Sequence, residues 1–191
     1  MKLERILPFG HNLLEKAAGN GDVVIDATMG NGHDTLFLAK LVGIEGRVYS
    51  FDIQEQALLK TKALLETNAL SHHVTLFRTG HENIKTMIPE TVAGKVRAAI
   101  FNLGYLPGGD KNVVTGEKTT IAAIEALLDL LAPEGIIVLV IYHGHDEGKI
   151  ERDALLAYTQ NIDQQKAYVL QYQFTNVQNS PPFIIAIEKR K

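Results

Sequence analysis

Short apolar runs alternate with amphipathic stretches along the chain. The runs predict strands at residues 23–28, 47–53, 74–79, 97–103 and 135–142, the last apolar almost throughout. Such runs suit strands covered on both faces. The segments between them predict helices near 33–42, 55–68, 82–88 and 117–131, with a leading helix over 9–18 and a later one near 147–160. Leu127, Leu128, Leu130 and Leu131 form an apolar stripe, and Pro133 stops that helix. Strand alternating with helix predicts a mostly parallel sheet with helices on both faces. The final strand patterns, 168–174 and 183–188, have no helix between them, so they should pair antiparallel. The expected fold is α/β and Rossmann-like: a mostly parallel seven-stranded sheet with a C-terminal antiparallel hairpin. No repeat, low-complexity tract or linker divides the chain, and one domain over 1–191 is expected.

Composition narrows the function classes. With no cysteine, disulfides, thiolate metal sites and a cysteine nucleophile are excluded. The first residues lack the apolar core of a signal peptide, and no apolar run is long enough to span a bilayer. A cytoplasmic protein is expected. The formal net charge of −3 argues against gripping long duplex through phosphates, but a small structured RNA met by local patches fits. The basic Lys189-Arg190-Lys191 end also reads as a solvated tail.

The first predicted strand runs into Asp26-Ala27-Thr28-Met29-Gly30-Asn31-Gly32-His33-Asp34-Thr35, a strand, a glycine turn and the start of a helix. Gly30 and Gly32 let a ligand approach bare backbone. About twenty residues on, the second strand ends in Asp52, where an acid accepts hydrogen bonds from ribose hydroxyls. Ile53 and Gln54 follow it. A dinucleotide fingerprint wants a third glycine where this chain has Thr35, and an anionic pyrophosphate would be repelled by Asp26. S-adenosylmethionine has no phosphate and carries a cationic amino group and a sulfonium, which Asp26 would attract. The competing reading is a plain tight turn with Asp34 capping a helix. Cofactor binding is the reading adopted for Asp26, Thr28, Gly30, Asn31, Gly32, Asp34, Thr35, Asp52, Ile53 and Gln54.

Ligands of open α/β sheets bind at the carboxyl ends of the strands. The third strand end carries Gly80 and His81, placed near an adenine edge or, for His81, merely at a helix start. The fourth carries Phe101-Asn102-Leu103-Gly104-Tyr105-Leu106-Pro107, which resembles the Asn-Pro-Pro-Tyr type loop of amino-methylating enzymes. In those enzymes an Asn side-chain oxygen and a backbone carbonyl accept hydrogen bonds from the target amine. Asn102 matches the Asn, and Leu103-Gly104-Tyr105 departs from Pro-Pro-Tyr. The fifth carries Tyr142, His143, His145 and Asp146. Histidines two apart in a glycine loop are a weak metal signal, so substrate contact is preferred and no metal is expected.

Together these motifs, with Tyr142-His143-Gly144-His145 and Asn179-Ser180-Pro181-Pro182-Phe183, resemble a bacterial family once labelled rRNA methylases. Its members are tRNA methyltransferases acting on 5-aminomethyl-2-thiouridine at the wobble position. The resemblance implies a class I S-adenosylmethionine-dependent methyltransferase fold, methyl transfer, a tRNA anticodon stem-loop partner and a homodimer. Here relatives carry a Pro-Gly-Gly type turn where this chain has Asp146-Glu147-Gly148. The reading gives Asn102, Tyr142 and His143 catalytic roles. Asn102 also touches the cofactor, and the Leu103 carbonyl helps orient the amine. Leu103, Gly104, Tyr105, Pro107, Tyr142, His143 and His145 line the substrate. Tyr142 or His143 relays a proton. Rival readings are a methyltransferase acting on rRNA or a small amine, an NAD-linked oxidoreductase, and a non-catalytic cofactor-binding protein.

Overall fold

A computed structural model of the protein describes residues 2–104, 108 and 114–191. Five parallel strands form the core of the sheet: β1 (Val23–Asp26), β2 (Arg47–Asp52), β3 (Val74–Arg78), β4 (Val96–Leu103) and β5 (Leu131–Ile141). Two more, β6 (Ala167–Tyr172) and β7 (Phe183–Lys189), make an antiparallel hairpin, with β7 seated between β5 and β6. The strand order is β3-β2-β1-β4-β5-β7-β6. It reverses between β1 and β4, which opens a crevice at their carboxyl ends. The seven-stranded, mostly parallel α/β sheet with its C-terminal hairpin agrees with the sequence.

The helices are α1 (Ile6–Ala17), α2 (His33–Val42), α3 (Glu55–Thr67), α4 (Ile84–Met87), α5 (Glu117–Leu130) and α6 (Asp146–Gln160). They cover both faces of the sheet, and the strands alternate between two cores. Ile25, Phe51, Ala99, Phe101 and Leu139 point toward Ile124 and Leu127 of α5. Val24, Val48, Ala98, Val138 and Val140 point toward Leu14 of α1 and Leu38 of α2. Period-two alternation with apolar layers on both sides explains the unbroken apolar run in β5. Each such Leu or Ile, fully buried, contributes roughly 1.5–3 kcal/mol.

Two elements differ from expectation. Strand β5 begins at Leu131, directly after α5, because Leu131 pairs with Val96 ahead of a register shift. Pro133 and Gly135, turn formers by type, therefore lie within the strand and not between helix and strand. The stretch expected as a helix over 82–88 is a 3-10 turn, His81–Asn83, followed by the single turn of α4. Residues Asp146-Glu147-Gly148 open α6 directly.

Candidate active site

Strand β1 delivers Asp26 to the base of the glycine loop, but not to open space. The residue has no exposed surface. One carboxylate oxygen accepts the Thr28 backbone N–H (3.1 Å) and the other the Thr35 hydroxyl (2.6 Å). The Thr35 oxygen lies 3.2 Å from the Ser50 hydroxyl, and both residues are buried. Burial, and then the nearby charge of Asp34, push the Asp26 carboxyl up to about 7. The expectation that Asp26 and Thr35 face a ligand is therefore corrected. They brace the loop from below, because loop and helix close over them.

Above this brace Gly30 and Gly32 take left-handed backbone, with φ of 51° and 83°. For Gly32 the cause is visible on its far side: a Cβ there would stand 2.8 Å from Thr61 Oγ1 and 3.0 Å from the Thr61 Cα of α3. Asp52 closes the loop, since its carboxylate accepts the N–H of Gly30 (3.0 Å) and of Gln54 (2.9 Å). Each oxygen keeps a second lone pair. Ile53 beside it is 53% exposed, and Asn31 accepts from Lys60. Thr79 bridges to Asp52, which sets Gly80 at the same rim.

His81 turns inward. It is buried, with Nδ1 3.3 Å from the Ala27 carbonyl and Nε2 3.4 Å from the Thr120 hydroxyl, and its ring packs edge-on to Phe101. Burial holds its pKa below the ordinary value, so it is neutral. The adenine-edge placement of His81 is corrected for the same reason: the 3-10 turn points it under the loop.

Across the crevice, at the end of β4, the Asn102 backbone N–H donates to Thr28 Oγ1 (2.7 Å). Its side-chain Nδ2 donates to Asp34 Oδ2 (2.5 Å), and His11 Nε2 donates to Asp34 Oδ1 (2.6 Å). Asp34 is thus an acceptor shared by a strand end and α1. It makes no cap, and the N-terminus of α2 has no side-chain cap hydrogen bond. A carboxylate only accepts, so the Asn102 amide must turn its nitrogen to Asp34 and its oxygen away. Tyr142 stands in the same neighbourhood. Burial, with a smaller contribution from Asp34, raises its pKa, so the phenol keeps its proton at neutral pH.

Three expectations on this side are corrected. The Leu103 carbonyl accepts the Tyr142 N–H (3.1 Å) as the β4–β5 ladder continues, and the Leu103 side chain is buried, so neither faces a substrate. His143 is buried, with Nε2 donating to the Pro181 carbonyl (3.1 Å) and Nδ1 3.4 Å from the Arg152 guanidinium. Its ring packs edge-on to Phe183. With both nitrogens engaged it is a strut between α6 and the hairpin, not a proton carrier. The phenol of Tyr142, kept protonated by burial and by Asp34, does not take up the proton-accepting role expected of it. Gly104 is pinned by two bonds to Thr115, and His145 precedes the first turn of α6. Tyr105 and Pro107 lie outside the described residues.

Several residues were not singled out from sequence. His11 sits on an amphipathic helix, where one histidine carries no signal. Glu151 is buried on α6 and accepts the hydroxyls of Thr115 (2.6 Å) and Thr120 (2.7 Å), and burial raises its pKa. Thr61 acts from α3 as the residue against which the bare Cα of Gly32 packs, since a Cβ on Gly32 would stand 2.8 Å from its hydroxyl. Among the described residues no group of His, Asp or Glu side chains is arranged to hold a metal ion. Among them, too, no helix is long and apolar enough to cross a membrane.

The chain is similar to known proteins in sequence and in fold. The chain is 36% identical to the chloroplastic tRNA (mnm(5)s(2)U34)-methyltransferase of Arabidopsis thaliana, over 187 residues covering 94% of this chain and 68% of that one. A crystal structure of a "putative rRNA-methylase" from Clostridium thermocellum superposes with a TM-score of 0.95 at 41% identity, covering 99% of this chain and 100% of that one. A "putative methyltransferase" from Streptococcus mutans, solved in complex with SAH, superposes at 0.88 with 40% identity, covering 98% and 99%. The family model described as "Putative rRNA methylase" matches residues 48–188, from β2 through β7, and the chain belongs to that family.

Proposed function

We propose that this protein transfers a methyl group from S-adenosylmethionine to the aminomethyl nitrogen of 5-aminomethyl-2-thiouridine at the tRNA wobble position. The observation that carries this reading is the Asn102 carboxamide, held by Asp34 at the switch-point crevice with its oxygen turned away from that carboxylate. An amide oxygen so oriented suits a target amine. The wobble acceptor is supported by the name of the 36%-identical plant relative, and the cofactor by the SAH complex of the 40%-identical Streptococcus mutans protein.

The residues present fit this cofactor. The free lone pairs of Asp52 suit ribose hydroxyls, and exposed Ile53 offers an apolar surface to a base. Gly30, Asn31 and Gly80 line the same rim. When bound, the cofactor supplies a methyl group already activated on a sulfonium. The task left to the protein is positioning. Asn102 orients the acceptor nitrogen, and Tyr142 and Gly104 border it. The amine is largely protonated in neutral water, so it must be uncharged at the moment of attack. To reach the crevice the uridine must leave the stack of the anticodon loop. The protein acts, on this reading, as one domain and as a homodimer in the cytoplasm.

The test is single-turnover methylation of tRNA bearing 5-aminomethyl-2-thiouridine at saturating cofactor. Asn102→Ala and Tyr142→Phe should each slow transfer by roughly 10- to 1000-fold, with cofactor affinity near wild type. Wild-type protein that leaves this tRNA unmodified but methylates rRNA or a small amine overturns the acceptor. Variants that run at wild-type rate overturn the site.

A further inference from the structure

The Asn102 amide is set by a carboxylate that is itself set from outside the crevice. Asp34 Oδ2 takes Asn102, and Asp34 Oδ1 takes His11 Nε2 of α1 at 2.6 Å. The imidazole is not loosely placed. It stacks on Phe37 with ring centroids 4.0 Å apart and planes 8° apart. Phe37 and Asp34 lie three residues apart on α2, so one helix face offers both a stacking surface and an acceptor. Helix α1 is anchored behind them: Leu14 has no exposed surface, and Gly10 packs against Val138 and Ile184.

Stability alone gives little reason for this contact. The His11 side chain is 30% exposed and that of Asp34 14%, and a partly exposed pair of this kind contributes little to stability. Its geometric effect is larger. With His11 on one oxygen and Asn102 on the other, the Asp34 carboxylate is held at both ends. Without His11 the carboxylate can turn, and the Asn102 amide loses the partner that fixes which end faces the acceptor.

We propose that His11 is a positioning residue for methyl transfer, holding Asp34 so that Asp34 holds the Asn102 amide with its oxygen toward the acceptor amine. The assignment rests on the proposed reaction and adds to it a residue of the N-terminal helix, outside the 48–188 stretch that the family model matches. His11 need not touch the substrate. It acts through two hydrogen bonds in series.

The experiment compares His11→Ala, His11→Gln, Asn102→Ala and the His11→Ala/Asn102→Ala double variant in the single-turnover tRNA assay. Calorimetric cofactor affinity and thermal midpoint are measured on each protein. Expected is a 10- to 100-fold slower transfer for His11→Ala at unchanged cofactor affinity and tRNA KM. His11→Gln, whose amide N–H reaches Asp34, should recover most of the rate. The double variant should be no slower than Asn102→Ala, because residues in one chain of hydrogen bonds are not additive. A wild-type rate for His11→Ala overturns the proposal, as does a rate loss matched by lost affinity or lost thermal stability. So does a double variant slower than Asn102→Ala by the full His11→Ala factor. Should wild type leave the tRNA unmodified, the acceptor reading fails. The His11 assignment is then decided by NMR: the Asn102 side-chain amide signal, identified by its loss in Asn102→Ala, must move in His11→Ala, and an unmoved signal overturns it.

Discussion

Replacing Gly32 by alanine tests whether the glycine loop is shaped by what lies beneath it. Sequence motifs of this kind are read as making room for a ligand. Gly32, however, has φ +83°, and a Cβ built on it stands 2.8 Å from Thr61 Oγ1, 3.1 Å from Thr61 Cβ and 3.0 Å from Thr61 Cα. The left-handed conformation costs an L-residue about 1–2 kcal/mol. The collision adds an overpacking cost of about 1–3 kcal/mol, since Thr61 is fully buried and its backbone belongs to α3. Gly32→Ala should therefore destabilise the cofactor-free protein by roughly 2–5 kcal/mol. In urea denaturation this appears as a lower midpoint at an unchanged slope. Adding Thr61→Ala removes the hydroxyl but leaves the clash with the α3 backbone and the left-handed strain, so it should restore only about 1 kcal/mol. A Gly32→Ala protein within about 0.5 kcal/mol of wild type would refute the reasoning. Full recovery by Thr61→Ala would show that the side chain, not the helix backbone, is the obstacle.

Asp26→Asn should become more stable relative to wild type as pH rises. The folded pKa of Asp26 is raised from 3.8 to about 7, so its favourable contribution is complete below about pH 4 and is lost as pH climbs through 7. Three pKa units bound the effect at about 4 kcal/mol, and a wild-type-minus-variant stability difference flat from pH 5 to 8 would contradict the burial argument. Asp52→Ala should weaken S-adenosylmethionine binding by about 30- to 1000-fold in calorimetry, through loss of charge-assisted bonds to ribose. It should also cost about 1–2 kcal/mol of stability, because the Gly30 and Gln54 N–H groups lose their acceptor. Unchanged affinity would remove Asp52 from the cofactor site.

What the chain determines by itself is local and periodic. The α2 range, 33–42, was legible to the residue, and the other strands and helices to within a few positions, because burial on both faces writes itself into two- and 3.6-residue periods. The missing helix between the last two strands was enough to predict the hairpin. The acids ending β1 and β2 and the Asn next to the end of β4 were visible because polar residues at the ends of buried apolar runs are out of place there. Direction was not visible. Asp26, His81 and His143 are the residue types a site would use, and all three face inward, because the side on which a carboxylate or ring finds its partners is set by neighbours such as Thr35, Thr120 and Arg152. Nor was the His11–Asp34–Asn102 chain, whose links span 23 and 68 residues of sequence. Periodicity reports only that a residue is covered or open. Which groups meet, and which atom of each is left over for chemistry, depends on helices and strands packing at distances that no local pattern encodes.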